Sequence, residues 1–113
     1  MIFHFVEKRI FEDGLRDGYY INPSLATRGF IHSVTKENMY IIAERYLMSQ
    51  EPIIILVIDE SKIKADIIYE ESKGIIYPHI YGKIERNAVI NVLPLLKDET
   101  NHFILNDEIK NIY

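Results

Sequence analysis

The hexapeptide Ile53–Ile58 (IIILVI) is the longest unbroken apolar run in the chain. A run this short, and this rich in β-branched side chains, predicts a central strand buried on both faces. It falls far short of the ~18 residues that a membrane-spanning helix needs. The same preference runs through the whole sequence. Isoleucine outnumbers leucine 21 to 8, and β-branched side chains fit a pleated, half-buried surface. The chain therefore leans toward sheet.

Around that strand the pattern is legible in pieces. Met1–Val6 reads as a buried first strand and Glu7–Asp13 as a short helical turn, stopped near Gly14 and Gly18. Tyr19–Ile21 reads as extended, Asn22–Gly29 as a loop opened by Asn-Pro, and Phe30–Ser33 as a short strand. The clearest periodic segment is Lys36–Ser49. There Met39, Ile42, Ala43, Tyr46 and Leu47 recur at helical spacing, Thr35 offers an N-cap, and Pro52 lies just past the end. Asp59–Ile63 reads as a turn. Further strands are predicted at Ile67–Glu70, Ile75–Ile80 and Ala88–Leu96, with Pro94 placing the last at an edge or bulge. His102–Leu105 is a last short strand and Asn106–Tyr113 a tail. One main helix among many strands defines an α+β class, because one helix cannot cover both faces of a doubly wound sheet.

With 113 residues the chain is expected to form one domain, residues 1–113. Its formal net charge of −4 is a poor footprint for nucleic acid, which favours a basic patch. Cysteine is absent, which excludes disulfides, thiolate metal sites and thiol nucleophiles. Met1–Val6 has no basic segment leading into an apolar one, so the expected location is the cytoplasm, with no membrane partner.

Three of the four histidines sit inside apolar, strand-like contexts: His4 in IFHFV, His32 in GFIHS and His79 in YPHIYG. A buried imidazole needs a hydrogen-bond partner, since leaving it unpaired costs about 1–3 kcal/mol. Each alone reads as structural; together they point to a shared polar cleft. His102 follows Glu99–Asn101 and reads as surface. Three histidines with an open position suit catalytic zinc, but the close-spaced ligand pair is missing, so no metal is expected. A two-histidine phosphoesterase needs matched His-x-Thr/Ser strands, and only His32–Thr35 comes near. Ser24 and Ser33 flank the Asn22–Gly29 loop without the Gly-x-Ser-x-Gly turn of a nucleophilic serine. Glu70 and Glu71 are paired carboxylates, with Glu70 near a strand end, and Tyr81 lies close enough in sequence to His79 to stack on a flat ring.

Met1–Val6 with His4, the segment Pro23–Thr35 (PSLATRGFIHSVT) and the segment Tyr77–Gly82 (YPHIYG) resemble the family called domain of unknown function 952, from Met1 to about Leu105. That family is similar in fold to the ADP-ribosyltransferases. The resemblance implies a split, mixed β-sheet with a central cleft that binds NAD. It implies that His4 holds the ribose and amide of the ligand, and that Ser24, His32 and Ser33 line the pocket with Tyr81 stacking on the ring. Active members of that superfamily carry a glutamate on a later strand. The similar position here, in Tyr77–Gly82, offers His79 and no glutamate, and Glu70 is the nearest substitute. His79 and Glu70 are thus the expected catalytic pair. The implied function is binding of NAD or a related nucleotide and transfer of ADP-ribose or a related group. The alternative is a non-catalytic ligand- or peptide-binding module with a histidine-lined cleft.

Overall fold

The run IIILVI forms strand β5 in the computed structural model, which describes residues 1–113. All six of its residues are buried. It is the middle strand of a three-stranded sheet, between β1 (Ile2–Glu7) and β9 (Val89–Pro94). Its side chains alternate between two cores, as strand geometry requires. Ile54, Leu56 and Ile58 enter one core with Ile2, Val6 and Tyr20. Ile53, Ile55 and Val57 enter the other with Phe3, Phe5, Met39 and Ile109. β9 lies at the sheet edge, where Pro94 opposes Ile54 and needs no outward partner.

The remaining elements wrap these two cores. After β1 come α1 (Lys8–Asp13), β2 (Leu15–Arg16), β3 (Tyr19–Tyr20), α2 (Ser24–Arg28) and β4 (Ile31–His32). α3 (Met39–Ala43) leads to β5, followed by the hairpin of β6 (Ile67–Ser72) and β7 (Ile75–Ile80). β8 (Ile84–Glu85), β9, β10 (Leu96–Lys97), β11 (Phe103–Ile104) and α4 (Asp107–Asn111) complete the chain. A second sheet has the order β4-β7-β6, a third β2-β3-β8, and β10 pairs with β11. Phe3 and Val34 exchange two main-chain hydrogen bonds, tying the second sheet to β1.

The α+β class is as expected, but four details differ. Every one of the seven strand pairings is antiparallel, so four small antiparallel sheets stand where a split, mixed sheet was implied. No main helix exists. Lys36–Asn38 is a 3-10 turn, and α3 ends at Ala43. Beyond it Arg45, Tyr46 and Ser49 bond three residues back rather than four. The apolar stripe is nonetheless used: Met39 and Ala43 are buried, and Tyr46 stacks on Phe5. Thr35 makes no capping bond. The Asn22–Gly29 loop contains α2, opened by the Asn22 side chain accepting from the Ser24 amide and closed by Gly29 at φ +85°. The expected tail contains α4, which inserts Ile109 into the second core. No helix is long and apolar enough to cross a membrane.

Candidate functional site

Two hairpin-like pairings build the site. β4 pairs with β7 so that His32 lies directly opposite His79. β6 pairs with β7 so that Ile68 opposes His79 and Glu70 lies two residues further along the same face. His32, His79, Glu70 and Tyr81 therefore share one face of the β4-β7-β6 sheet. The two imidazole rings are edge to face, with centroids 5.9 Å apart. His79 donates from Nδ1 to Glu70 Oε1 at 2.9 Å, and the Tyr81 hydroxyl donates to the same oxygen. Phe30 stacks on His79 at 3.9 Å and 17°, and also meets the edge of the His32 ring.

The electrostatics follow from these contacts. Hydrogen bonds from Tyr81 and then His79 hold the Glu70 carboxyl below its ordinary range, so it is ionised at neutral pH. The same bond to Glu70 pushes the Tyr81 phenol up. A carboxylate only accepts, so Glu70 fixes the proton of His79 on Nδ1 and leaves Nε2 as a free acceptor in the neutral ring. His32 is pushed down, first by partial burial and then by the charges of His79, Arg28 and Arg45.

The other expected contacts lie beneath this face. His4 is only 4% exposed, and both of its ring nitrogens are engaged. Nδ1 donates to the main-chain carbonyl of His32, so Nε2 is the acceptor and takes the Tyr20 hydroxyl at 2.9 Å. Asn22 in turn donates to the Tyr20 oxygen at 2.6 Å. The result is a buried chain of donors running from Asn22 through Tyr20 and His4 to the His32 carbonyl. Burial lowers the His4 pKa to about 4 and raises that of Tyr20. His4 is thus a support under His32, without an open face for a ligand. Ser24 donates to the Phe30 carbonyl at 2.8 Å, and buried Ser33 donates to the Pro78 carbonyl. Both hydroxyl protons are thus committed to the main chain.

The structure thus brings His32, His79, Glu70 and Tyr81 together and sets His4, Ser24 and Ser33 behind them. The sequence reading missed Phe30 as part of the cluster. Its signal was present: Phe30 and His32 are two residues apart, the spacing that puts side chains on one strand face. Two surface concavities lie elsewhere, one lined by Asp17–Tyr19 and Glu85–Asn87 and one between Leu93 and Glu108. No group of three or more acidic and histidine side chains is placed to hold a metal ion.

The fold and this histidine face define a small antiparallel α+β protein with a hydrogen-bonded histidine–glutamate pair on a sheet surface. The chain belongs to the protein of unknown function family DUF952, which matches residues 6–92. It is similar to protein CC0527 from Caulobacter crescentus, whose crystal structure superposes with a TM-score of 0.80 at 20% identity, covering 96% of this chain and 97% of that one. The solution NMR structure of CC0527 gives a TM-score of 0.66 at 19% identity, covering 89% of each chain. At this identity the likeness shows a shared fold. No curated protein matches the chain.

Proposed function

We propose that the face formed by Phe30, His32, Glu70, His79 and Tyr81 is a binding site for NAD or a related nucleotide, and that its Glu70–His79 pair moves a proton in transfer of the ADP-ribosyl group. One observation carries the reading: an ionised carboxylate, an oriented imidazole and an aromatic ring meet on a single sheet face. The donor set fits such a ligand. Tyr81 offers a half-open ring for a flat heterocycle. Glu70 engages Oε1 within the chain and leaves Oε2 to accept from a ribose hydroxyl.

Bound NAD would supply an activated bond between ribose carbon and pyridine nitrogen. Everything else is done by the chain. Glu70 presents fixed negative charge beside the place where positive charge develops, and preorganised charge is usually the largest catalytic contribution. It also holds His79 in the tautomer whose Nε2 can accept the proton of an incoming hydroxyl. The buried His4 chain keeps the His32 main chain in place without adding charge.

Calorimetric titration of NAD, with chromatographic detection of free nicotinamide, tests the reading. We expect binding in the millimolar range or tighter, and nicotinamide release that falls at least ~100-fold in Glu70→Gln and in His79→Ala. Absence of binding by wild-type protein at millimolar NAD overturns it. A second reading, a ligand- or peptide-binding module without turnover, is favoured by the openness of the face, where His32 is exposed and Tyr81 is 38% exposed. It predicts that His79→Ala weakens binding while no nicotinamide is released by any variant.

A further inference from the structure

A histidine ring needs two constraints before its Nε2 lone pair points in one direction. The terminal torsion of a histidine side chain is broad and roughly two-fold. One hydrogen bond fixes one atom of the ring and leaves the ring free to turn about that bond. For His79 that bond runs from Nδ1 to Glu70, whose side chain is itself 40% exposed. The bond alone does not hold the plane of the imidazole.

Phe30 supplies the second constraint. Its ring lies over the His79 imidazole with centroids 3.9 Å apart and planes 17° from parallel. The hydrogen bond acts within the plane of the imidazole, and the stack acts across it. The same phenyl group packs against His32 at 4.9 Å and against Tyr81 at 5.4 Å. The His79 side chain is only 12% exposed on an otherwise open face, with Phe30 over one side of it. The backbone of Phe30 is held in turn. Gly29 before it closes α2 at φ +85°, its carbonyl accepts from Ser24 Oγ at 2.8 Å, and Ile31 after it is fully buried in the first core. The Ser24 amide is fixed by the Asn22 side chain at 2.9 Å.

The geometry points to Phe30 as the positioning residue of this face: it fixes the plane of the His79 ring, so that Nε2 meets an incoming hydroxyl in one orientation. This rests on the reading of Glu70 and His79 as the pair that moves a proton, and it adds the group that orients them. Phe30 brings neither charge nor proton and acts through His79. The role requires a flat ring. An aliphatic side chain of similar bulk fills the same space and leaves the imidazole free to turn.

The test compares Phe30→Leu, which keeps apolar volume, with Phe30→Tyr, which keeps the plane. The first measurement uses the full chain without ligand. Nitrogen NMR of the labelled histidine rings reads the tautomer, and the shift of the His79 Cε1 proton reads the stacked ring. We expect the neutral His79 ring of wild type to be a single tautomer, protonated on Nδ1, with its Cε1 proton displaced upfield. Phe30→Leu should average the tautomers and lose the displacement, and Phe30→Tyr should restore both. The second measurement is nicotinamide release from NAD. In Phe30→Leu kcat should fall ~10-fold or more while KM stays within about twofold, and Phe30→Tyr should recover it. A merely structural role would lower the thermal midpoint and leave the His79 tautomer as in wild type. A single His79 tautomer with an unchanged Cε1 shift in Phe30→Leu overturns the assignment. If the tautomers average in Phe30→Leu and wild type releases no nicotinamide, Phe30 positions His79 and the choice of NAD falls. If wild type and Phe30→Leu release nicotinamide with the same kcat, the positioning role falls and the NAD site remains.

Discussion

Burial lowers the His4 pKa to about 4, desolvation outweighing the bond to the His32 carbonyl. The sign of its effect on stability follows. The unfolded chain protonates this residue below pH 6.5, the folded chain only below about 4. Between those values the unfolded state holds the extra proton, so stability is complete above pH 6.5 and declines as pH falls toward 4. The difference is on the order of 3 kcal/mol. Urea unfolding at pH 7 and pH 4.5 checks it: the midpoint of wild type should drop more steeply between the two than that of His4→Gln, which should already be destabilised at pH 7. Equal slopes would mean that the ring is not buried neutral. Residue by residue, the site was partly open to a reader of the sequence. His79 lies on β7, whose limits the pattern marks, and Glu70 on β6, which runs two residues past its predicted end, so alternation along these strands places both on one face; Tyr81 follows β7 directly. The burial of His4 and its Tyr20 and Asn22 partners were not legible, because they depend on elements apart in sequence.

At the scale of elements, Gly14 governs how closely α1 and β3 approach. A Cβ there would sit 2.4 Å from the Ile21 carbonyl oxygen and 3.0 Å from the Tyr20 ring. Since Tyr20 holds His4, crowding at Gly14 is transmitted to the chain of bonds beneath His32. Gly14→Ala should cost about 3 kcal/mol, read as a lowered thermal midpoint, and should perturb the amide signal of His32. A thermal midpoint within a degree or two of wild type would contradict the contact. The elements also show why sequence reading succeeds unevenly. β5 and β7 were predicted with the observed limits, because an apolar run and a bounded β-rich segment are local signals. The Lys36–Ser49 helix was over-read. Its stripe marks the face that packs, with Tyr46 on Phe5 and Tyr40 on Phe103, while the change from four-residue to three-residue hydrogen bonding after Ala43 leaves no signature in the stripe.

At the scale of the whole molecule, stability rests on two cores on opposite faces of one sheet, and α4 helps to close the second. Ile109 is fully buried there, whereas Ile112 three residues on is 71% exposed. Ile109→Ala should destabilise by about 3 kcal/mol, and Ile112→Ala should stay within about 0.5 kcal/mol of wild type. Denaturant unfolding of the pair checks this, and equal midpoints would show that α4 is not part of the core. The C-terminal helix escaped the sequence reading because a single apolar anchor in five residues leaves no period to detect. The antiparallel pairing of all four sheets was equally hidden, since strand direction is decided by partners and not by the strand.

The alternation of β5 between the two cores has a consequence for how the gene can change in length. Adding or removing one codon within Ile53–Ile58 would exchange the destinations of Leu56 and Val57 and of every neighbour beyond the change. Length variation among descendants of this chain is thus confined to places such as the Lys73–Gly74 turn, where both residues already have positive φ and the side chains face solvent.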